Sequence, residues 1–363
     1  MTAELYIGLM SGTSLDGVDG VLADFSDGKL QVLAHESAPF APALRDELLA
    51  LNTPGGNEIH RAALAANALM LAYDVVVMRL LPKAPAKVIA IGAHGQTVRH
   101  RPQEFDGNGY TTQLCNGALL AELTGIDVVC DFRSRDVAAG GQGAPLAPFF
   151  HRAMFARAGE TIGVLNIGGI SNLSVLRADG SMLGFDCGPG NALMDAWVKE
   201  HKGKDFDTGG RWAAGGKVDA RLLDTMPSDP YFAKEPPKST GRDLFNARWL
   251  EQQDIASSKA EDVQATLAEL TASACANDAK RHAVSQLVVC GGGALNGHLM
   301  RRLQALLPGV HVQSSDAAGL PPLQVEATAF AWLARRCIRR ERLELESTTG
   351  ARGARVLGAV YPA

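Results

Sequence analysis

One short pattern occurs twice in this chain: an apolar strand, a turn of small residues, and an apolar return. It runs first from Ile7-Gly8-Leu9-Met10 through Ser11-Gly12-Thr13-Ser14 to Val21-Leu22-Ala23-Asp24-Phe25. It runs again from Val164-Leu165-Asn166-Ile167 through Gly168-Gly169-Ile170-Ser171 to Asn172-Leu173-Ser174-Val175-Leu176. A repeated hairpin within alternating strand and helix signals restricts the chain to an α/β fold built by duplication. Two such halves set two glycine turns on either side of one cleft. Turns of Gly, Ser and Thr leave backbone N–H groups bare, and such turns cradle phosphate oxygens. Asp16 and Asp19 follow the first turn and suit a hydrated Mg²⁺ beside phosphates. A lone hairpin of this composition reads equally as an ordinary turn. The rest of the chain favours the ligand.

The alternation continues along the sequence. Residues 57–81 and 117–124 read as helices, and residues 87–91 and 126–130 as buried strands. Residues 133–143 are a polar, glycine-rich loop, and residues 182–185 a further strand. A long amphipathic helix is expected over 260–283, then a strand at 286–290, a Gly291-Gly292-Gly293 turn and a helix to Leu307. Pro321-Pro322 stops the chain before a last helix over about 324–343, whose arginines at 335–342 read as its solvated side. With 363 residues, 46% of them hydrophobic, the chain has material for two domains. Its net charge of -4 and lack of a basic stripe argue against nucleic acid as a partner. The six cysteines are scattered without C-x-x-C spacing, as reduced buried thiols of a cytoplasmic protein. The reading includes no leader segment and no apolar run long enough to span a bilayer, hence no membrane partner. The apolar helices are compatible with a homodimer.

No Walker A motif is present: the nearest approach, residues 210–217, has the wrong spacing and is followed by Val218. The strand–glycine turn–helix at 287–297 is an imperfect dinucleotide fingerprint, and the next strand supplies no acid for a ribose. After two phosphate-type hairpins it better suits an adenosine-binding turn. That order resembles the sugar kinase, heat-shock ATPase and actin superfamily. Within it, the individual motifs resemble one family, the anhydro-N-acetylmuramic acid kinases. The residues are 8–17 (Gly-Leu-Met-Ser-Gly-Thr-Ser-Leu-Asp-Gly), His94-Gly95-Gln96-Thr97, the run 131–146 from Asp131-Phe132-Arg133 to Ala144-Pro145-Leu146, residues 166–172, Phe185-Asp186-Cys187-Gly188-Pro189-Gly190-Asn191, Lys238-Ser239-Thr240-Gly241-Arg242 and the Gly291 turn. Two departures stand out: Ala93 where the family usually has Ser, and Cys115-Asn116-Gly117 for a more usual Gly-Asn/Asp-Pro.

The resemblance implies a two-domain actin-like ATPase fold, ribonuclease H-like and duplicated, with a central cleft. The expected boundaries are 1–135, 136–342 and a tail, 343–363, that returns to the first domain. It implies ATP with Mg²⁺, and a small-molecule substrate, 1,6-anhydro-N-acetylmuramic acid. Water opens the anhydro bridge and O6 takes the γ-phosphoryl group, giving N-acetylmuramic acid 6-phosphate in cell-wall recycling. It assigns the base to Asp186, places Glu326 near the sugar, and has Arg135 orient the sugar or its water; His94 and Gln96 line the sugar site. Gly12, Thr13, Ser14, Leu15, Asp16, Gly17, Val18 and Asp19 would surround the phosphates, with Gly168 and Gly169 from the other half, and Gly291, Gly292, Gly293 and Asn296 at the adenosine. Direct metal ligands are not specified. Lys238 to Arg242 reads as a basic loop near the cleft or a solvated linker. The rival readings are a conventional sugar kinase, a partner-driving ATPase, and a glycoside hydrolase using Asp186 and Glu326.

Overall fold

In the computed structural model, which describes residues 3–12, 15–236, 238–241 and 244–363, the first hairpin is β1 (Leu5–Met10) antiparallel to β2 (Gly17–Asp24), in register from Leu5↔Asp24 to Met10↔Asp19. β3 (Gln31–Pro39) extends it on the β2 side. β4 (Val88–Ala93) lies parallel to β1 on the other side. β5 (Gln96–Pro102) and β6 (Gly109–Leu114) form a separate ribbon. β7 (Val128–Cys130) joins β4 in parallel, and a terminal strand, Ala359–Tyr361, closes the edge antiparallel to β7. The sheet order is β3-β2-β1-β4-β7-terminal strand.

The second hairpin repeats the plan. β8 (Ile162–Ile167), β9 (Ile170–Leu176) and β10 (Met182–Pro189) form an antiparallel meander. β11 (Gln286–Cys290) and β12 (His311–Ser314) add in parallel on the β8 side, giving the order β10-β9-β8-β11-β12. The first five strands of each sheet therefore run third, second, first, fourth, fifth, with the same strand directions. This is the duplicated ribonuclease H-like plan of the actin-like ATPases.

Two compact units result: Met1–Phe150 with Gln324–Ala363, and His151–Leu323. Each owns a core. In the first, Leu5, Ile7, Leu9, Leu69, Tyr73 and Val76 pack together; in the second, Leu165, Val175, Phe185, Phe245, Trp249 and Leu267 do. Each such side chain contributes about 1.5–3 kcal/mol on burial.

The boundaries differ from the expected 135/136 and 342/343, and side chains say why. The Asp136 carboxylate is fully buried, accepting from Gly143 N (2.6 Å) and Thr349 Oγ1 (2.6 Å). Gln142 N donates to Thr349 O and Arg352 N to Ala139 O, so the loop after Asp136 and the tail are stitched together in the first unit. The helix Val325–Ile338 also belongs to that unit. It lies so close to β1 and β4 that a Cβ on Gly8 would stand 1.9 Å from Ala327 O, and one on Gly92 2.1 Å from Phe330 O. Gly8→Ala is expected to destabilise the protein by at least about 1–3 kcal/mol, because backbone cannot yield as a side chain does. An unchanged urea midpoint would refute that close approach.

Two further helical expectations change. The last helix ends at Ile338, short of 343, because Arg340 takes a left-handed φ of 56° and turns the chain. Ala260–Arg281 is buried nearly all round over 263–272, so it is a central helix and not an amphipathic one. Glu58–Lys83 is long and apolar enough, by length and composition, to cross a membrane, yet Arg61, Asp74 and Arg79 interrupt it, so it is not the uninterrupted apolar run that the sequence was expected to lack. Its Leu69, Met70, Tyr73, Val76, Val77 and Leu80 face the first core, where a single-face stripe of this kind seats a helix against a sheet.

Candidate active site

At the mouth of the first hairpin, Leu15 N donates to Gly12 O (3.2 Å). Thr13 and Ser14 lie outside the described residues. Ser11 faces inward: its buried Oγ meets Tyr73 Oη at 2.9 Å and donates to Gly95 O at 3.1 Å. That hydroxyl supports the turn from behind. Leu15 and Val18 bury their side chains, so these two residues offer a ligand only their backbone. Gln96 is buried, and its Nε2 donates to Gly12 O (3.2 Å), so it braces the hairpin directly. Asp16 and Asp19 are exposed, and Asp19 pairs with His35 Nε2 at 3.3 Å.

His94 follows β4, with N–H donating to Leu9 O (3.0 Å) and its ring against Phe330. Arg133 Nη2 donates to His94 Nε2 (3.1 Å), and Nη1 to Gly143 O (2.8 Å). Guanidinium can only donate, so His94 Nε2 is the acceptor and its proton sits on Nδ1. Burial, then the charge of Arg133, hold the imidazole down to about 3, so it is neutral at any ordinary pH. Burial lowers Arg133 to about 10, against the raising influence of Glu326 and Asp136. Glu326 stands in the first turn of the Val325–Ile338 helix, where a carboxylate also favours the helix dipole. His94, Arg133 and Glu326 thus form one electrostatic group.

Arg135 does not join that group. It is exposed and lines a cavity with Arg340, Arg342 and Arg355. The residue that reaches His94 is Arg133, two positions earlier, inside the same run. Nothing in the spacing of the sequence tells the inward arginine from the outward one.

In the second unit, Asp186 lies on β10 where the pairing with β9 slips: Asp186 opposes Asn172, and Gly188 opposes Ser171. A bulge of this kind re-aims side chains and is common beside active sites. A short segment holds Asp186 from two sides. Its N–H donates to Lys238 O (3.0 Å), and its Oδ2 accepts from Thr240 N (2.9 Å). Tyr231 Oη donates to Asp186 O (2.8 Å). Burial raises the carboxyl to about 6, with the Thr240 N–H and the Lys238 charge pulling it down.

Lys238 is no linker residue. It is buried, with Nζ 3.3 Å from Asp278 Oδ2 and lying over the rings of Phe185 (5.6 Å) and Tyr231 (5.5 Å). Arg281 Nη1 holds the other Asp278 oxygen at 3.3 Å. Arg242 lies outside the described residues. Sequence reading missed Lys238, Tyr231 and Thr240 as neighbours of Asp186; the family-like run Lys238-Ser239-Thr240-Gly241 was the available signal.

The second hairpin and the chain after Asp186 are tied together. Asn191 N donates to Gly168 O (2.7 Å), while Gly190 N and Ala192 N donate to Gly169 O (2.9 and 3.1 Å). The Gly168-Gly169 carbonyls are thereby turned to protein. The buried Thr271 Oγ1 donates to Pro189 O or Gly190 O (3.1 Å each) and fixes the end of β10. Gly291 follows β11 with φ 75°, and a Cβ there would stand 2.3 Å from Asn166 Oδ1, so the turn demands glycine. Asn296 caps the helix Gly297–Leu306: its Oδ1 accepts from Leu299 N (3.0 Å). That oxygen serves the helix, leaving the Asn296 amide nitrogen for any nucleotide.

A family model described as anhydro-N-acetylmuramic acid kinase matches residues 4–363. A protein named anhydro-N-acetylmuramic acid kinase from Variovorax paradoxus is 65% identical over 375 residues, covering 100% of both chains. Proteins of the same name from Albidiferax ferrireducens and Ralstonia nicotianae are 60% and 57% identical, covering 99% of this chain and 100% and 98% of their own. This chain belongs to the anhydro-N-acetylmuramic acid kinase family.

The two departures from the family's usual pattern fall at packed positions. Ala93 is fully buried at the end of β4. Cys115 Sγ lies 3.7 Å from Met70 Sδ, and Asn116 caps the helix Gly117–Thr124 by accepting from Leu119 N. All six cysteines are free thiols.

Proposed function

We propose that this kinase opens 1,6-anhydro-N-acetylmuramic acid with water and phosphorylates its O6 from ATP. The observation that carries the reading, beside family membership, is Asp186: its backbone N–H is held by Lys238 O and its carboxylate by Thr240 N at a strand bulge, with its ionisation moved to about 6. A base so poised is ionised at neutral pH yet still able to take a proton. Asp186 takes one proton from water as the oxygen bonds to the anomeric carbon. The bond from that carbon to O6 breaks, and O6 accepts the γ-phosphoryl group as ADP leaves. The proton passes from Asp186 to solvent.

On this reading Arg133 takes the sugar-orienting role that resemblance assigned to Arg135, with Glu326 and neutral His94 setting its position. Gly12 to Asp19 meet the phosphates through backbone N–H groups, braced by Gln96 and Ser11. Mg²⁺ neutralises phosphate charge when bound. Among the described residues no three His, Cys, Asp or Glu side chains cluster as a metal cage, which suits an ion held mainly by phosphates and water. Asp16 has no ion-pair partner among the described residues, whereas Asp19 shares its carboxylate with His35, so Asp16 would hold the ion's water shell.

The deciding measurement is turnover in ¹⁸O-water with mass detection. The expected product is phosphorylated and carries the label on the anomeric oxygen. Phosphorylation with the ring intact would make the protein a conventional sugar kinase, and ring opening without ATP would make it a hydrolase.

A further inference from the structure

The first unit carries a second feature that the proposed reaction does not use. A cavity of ≈ 720 Å³ is lined by Arg135, Arg340, Arg342 and Arg355, together with Asp131 and Ser134. That volume falls within the range of small-molecule sites. Four guanidinium groups against one carboxylate is a strong local excess in a chain whose net charge is -4.

The arrangement of neighbouring acids makes the excess specific. Along the run that ends the Val325–Ile338 helix, every other arginine is paired. Arg335 and Arg339 hold Glu4 (2.8 Å each), and Arg336 holds Glu341 (2.6 Å), which Arg339 also approaches. Arg340 and Arg342 flank Glu341 in sequence, but its carboxylate is turned to the other pair. Among the described residues, none of the four cavity arginines has an ion-pair partner. Asp131 offers little relief, since its Oδ1 accepts from Ser134 N (3.1 Å) at the start of the Ser134–Ala138 helix.

The backbone that presents these arginines is fixed. Arg340 takes φ 56° and its N–H donates to Cys337 O (2.9 Å). Arg342 O accepts from Arg336 Nη2 (3.0 Å). Leu343 and Arg355 exchange two backbone hydrogen bonds (2.8 and 3.0 Å), pinning the tail beside the turn. The side chains are therefore delivered to one cavity by three separate segments, with Asp131 the one acidic side chain in its lining. Guanidinium is the side chain best matched to phosphoryl oxygens, through paired N–H donors. One orthophosphate cannot balance the net excess of charge or span the cavity.

We infer that this cavity binds a small polyanion carrying two or more phosphoryl groups, at a site apart from the His94–Arg133–Glu326 group. The inference does not depend on the reaction proposed above.

The test is calorimetric titration of the full-length protein with sodium tripolyphosphate, run in parallel on the native protein and on Arg340→Gln/Arg342→Gln. The variant keeps the nucleotide hairpin intact, so the signal it loses belongs to the cavity. Saturable binding is expected, weakened by added NaCl as ion pairing requires. Arg340→Gln/Arg342→Gln is expected to weaken it by about tenfold or more, with turnover and the KM for ATP unchanged when tripolyphosphate is absent. Arg355→Gln, on a different segment, is expected to weaken it independently. Absence of binding to the native protein would overturn the inference. So would equal affinity in folded variants, or orthophosphate binding as tightly as tripolyphosphate.

Discussion

Asp186→Asn is expected to lower turnover by about 10²–10⁴-fold, the range for removing a positioned general base, while the protein folds and binds ATP as before. The asparagine keeps the shape, and its side-chain oxygen still accepts from Thr240 N; it cannot take the proton of water. The native enzyme's pH profile should carry the same residue's signature. Burial raises the carboxyl to about 6, and only the ionised form acts as base. Turnover should therefore fall as pH drops through about 6, well above the usual carboxylate range. Near-normal turnover in the asparagine variant, or a profile flat down to pH 4, would remove Asp186 from the reaction.

The second large effect is expected at Lys238, on stability. Its ammonium and the Asp278 carboxylate are 2% and 4% exposed at 3.3 Å, so neither charge has water to fall back on. Lys238→Met keeps the aliphatic stem between Phe185 and Tyr231 but leaves Asp278 with only Arg281. Removing one partner of a buried pair typically destabilises by about 3–5 kcal/mol, whereas replacing both is often neutral. Urea unfolding should show that loss for Lys238→Met, with most of it recovered in Lys238→Met/Asp278→Asn. The same cation pulls the Asp186 ionisation down. In Lys238→Met the acid limb of the turnover profile should therefore move to higher pH, which a purely structural role would not require. A single variant as stable as the native protein would show that Asp278 is satisfied without Lys238.

Much of this was legible in the linear chain because it depends on local pattern. Alternating apolar residues mark β1, β2, β8 and β9, and the glycine turns between them show the duplication. Asp186 could be chosen because a family-like run surrounds it on both sides. What stayed illegible shares one cause. Arg133 and Arg135 are both arginines in a polar loop, and which of them turns inward depends on His94 and on the Val325–Ile338 helix, far off in sequence. Lys238 looks solvated in a proline- and lysine-containing loop, yet Asp278 and two aromatic rings enclose it. Asn296 reads as a nucleotide contact, but its oxygen caps a helix.

Strand positions followed from pattern and duplication, since hydrophobic periodicity and turn chemistry act over a few residues. The sequence by itself thus determined the fold class, the family, and the position of the carboxylate proposed as base. Tertiary structure alone decided which charges are buried, which are paired, and to which unit residues 136–150 and 324–342 belong. Those outcomes depend on desolvation and on partners brought together from distant segments. Charge burial is a property of the assembled neighbourhood, and no single stretch of sequence contains it.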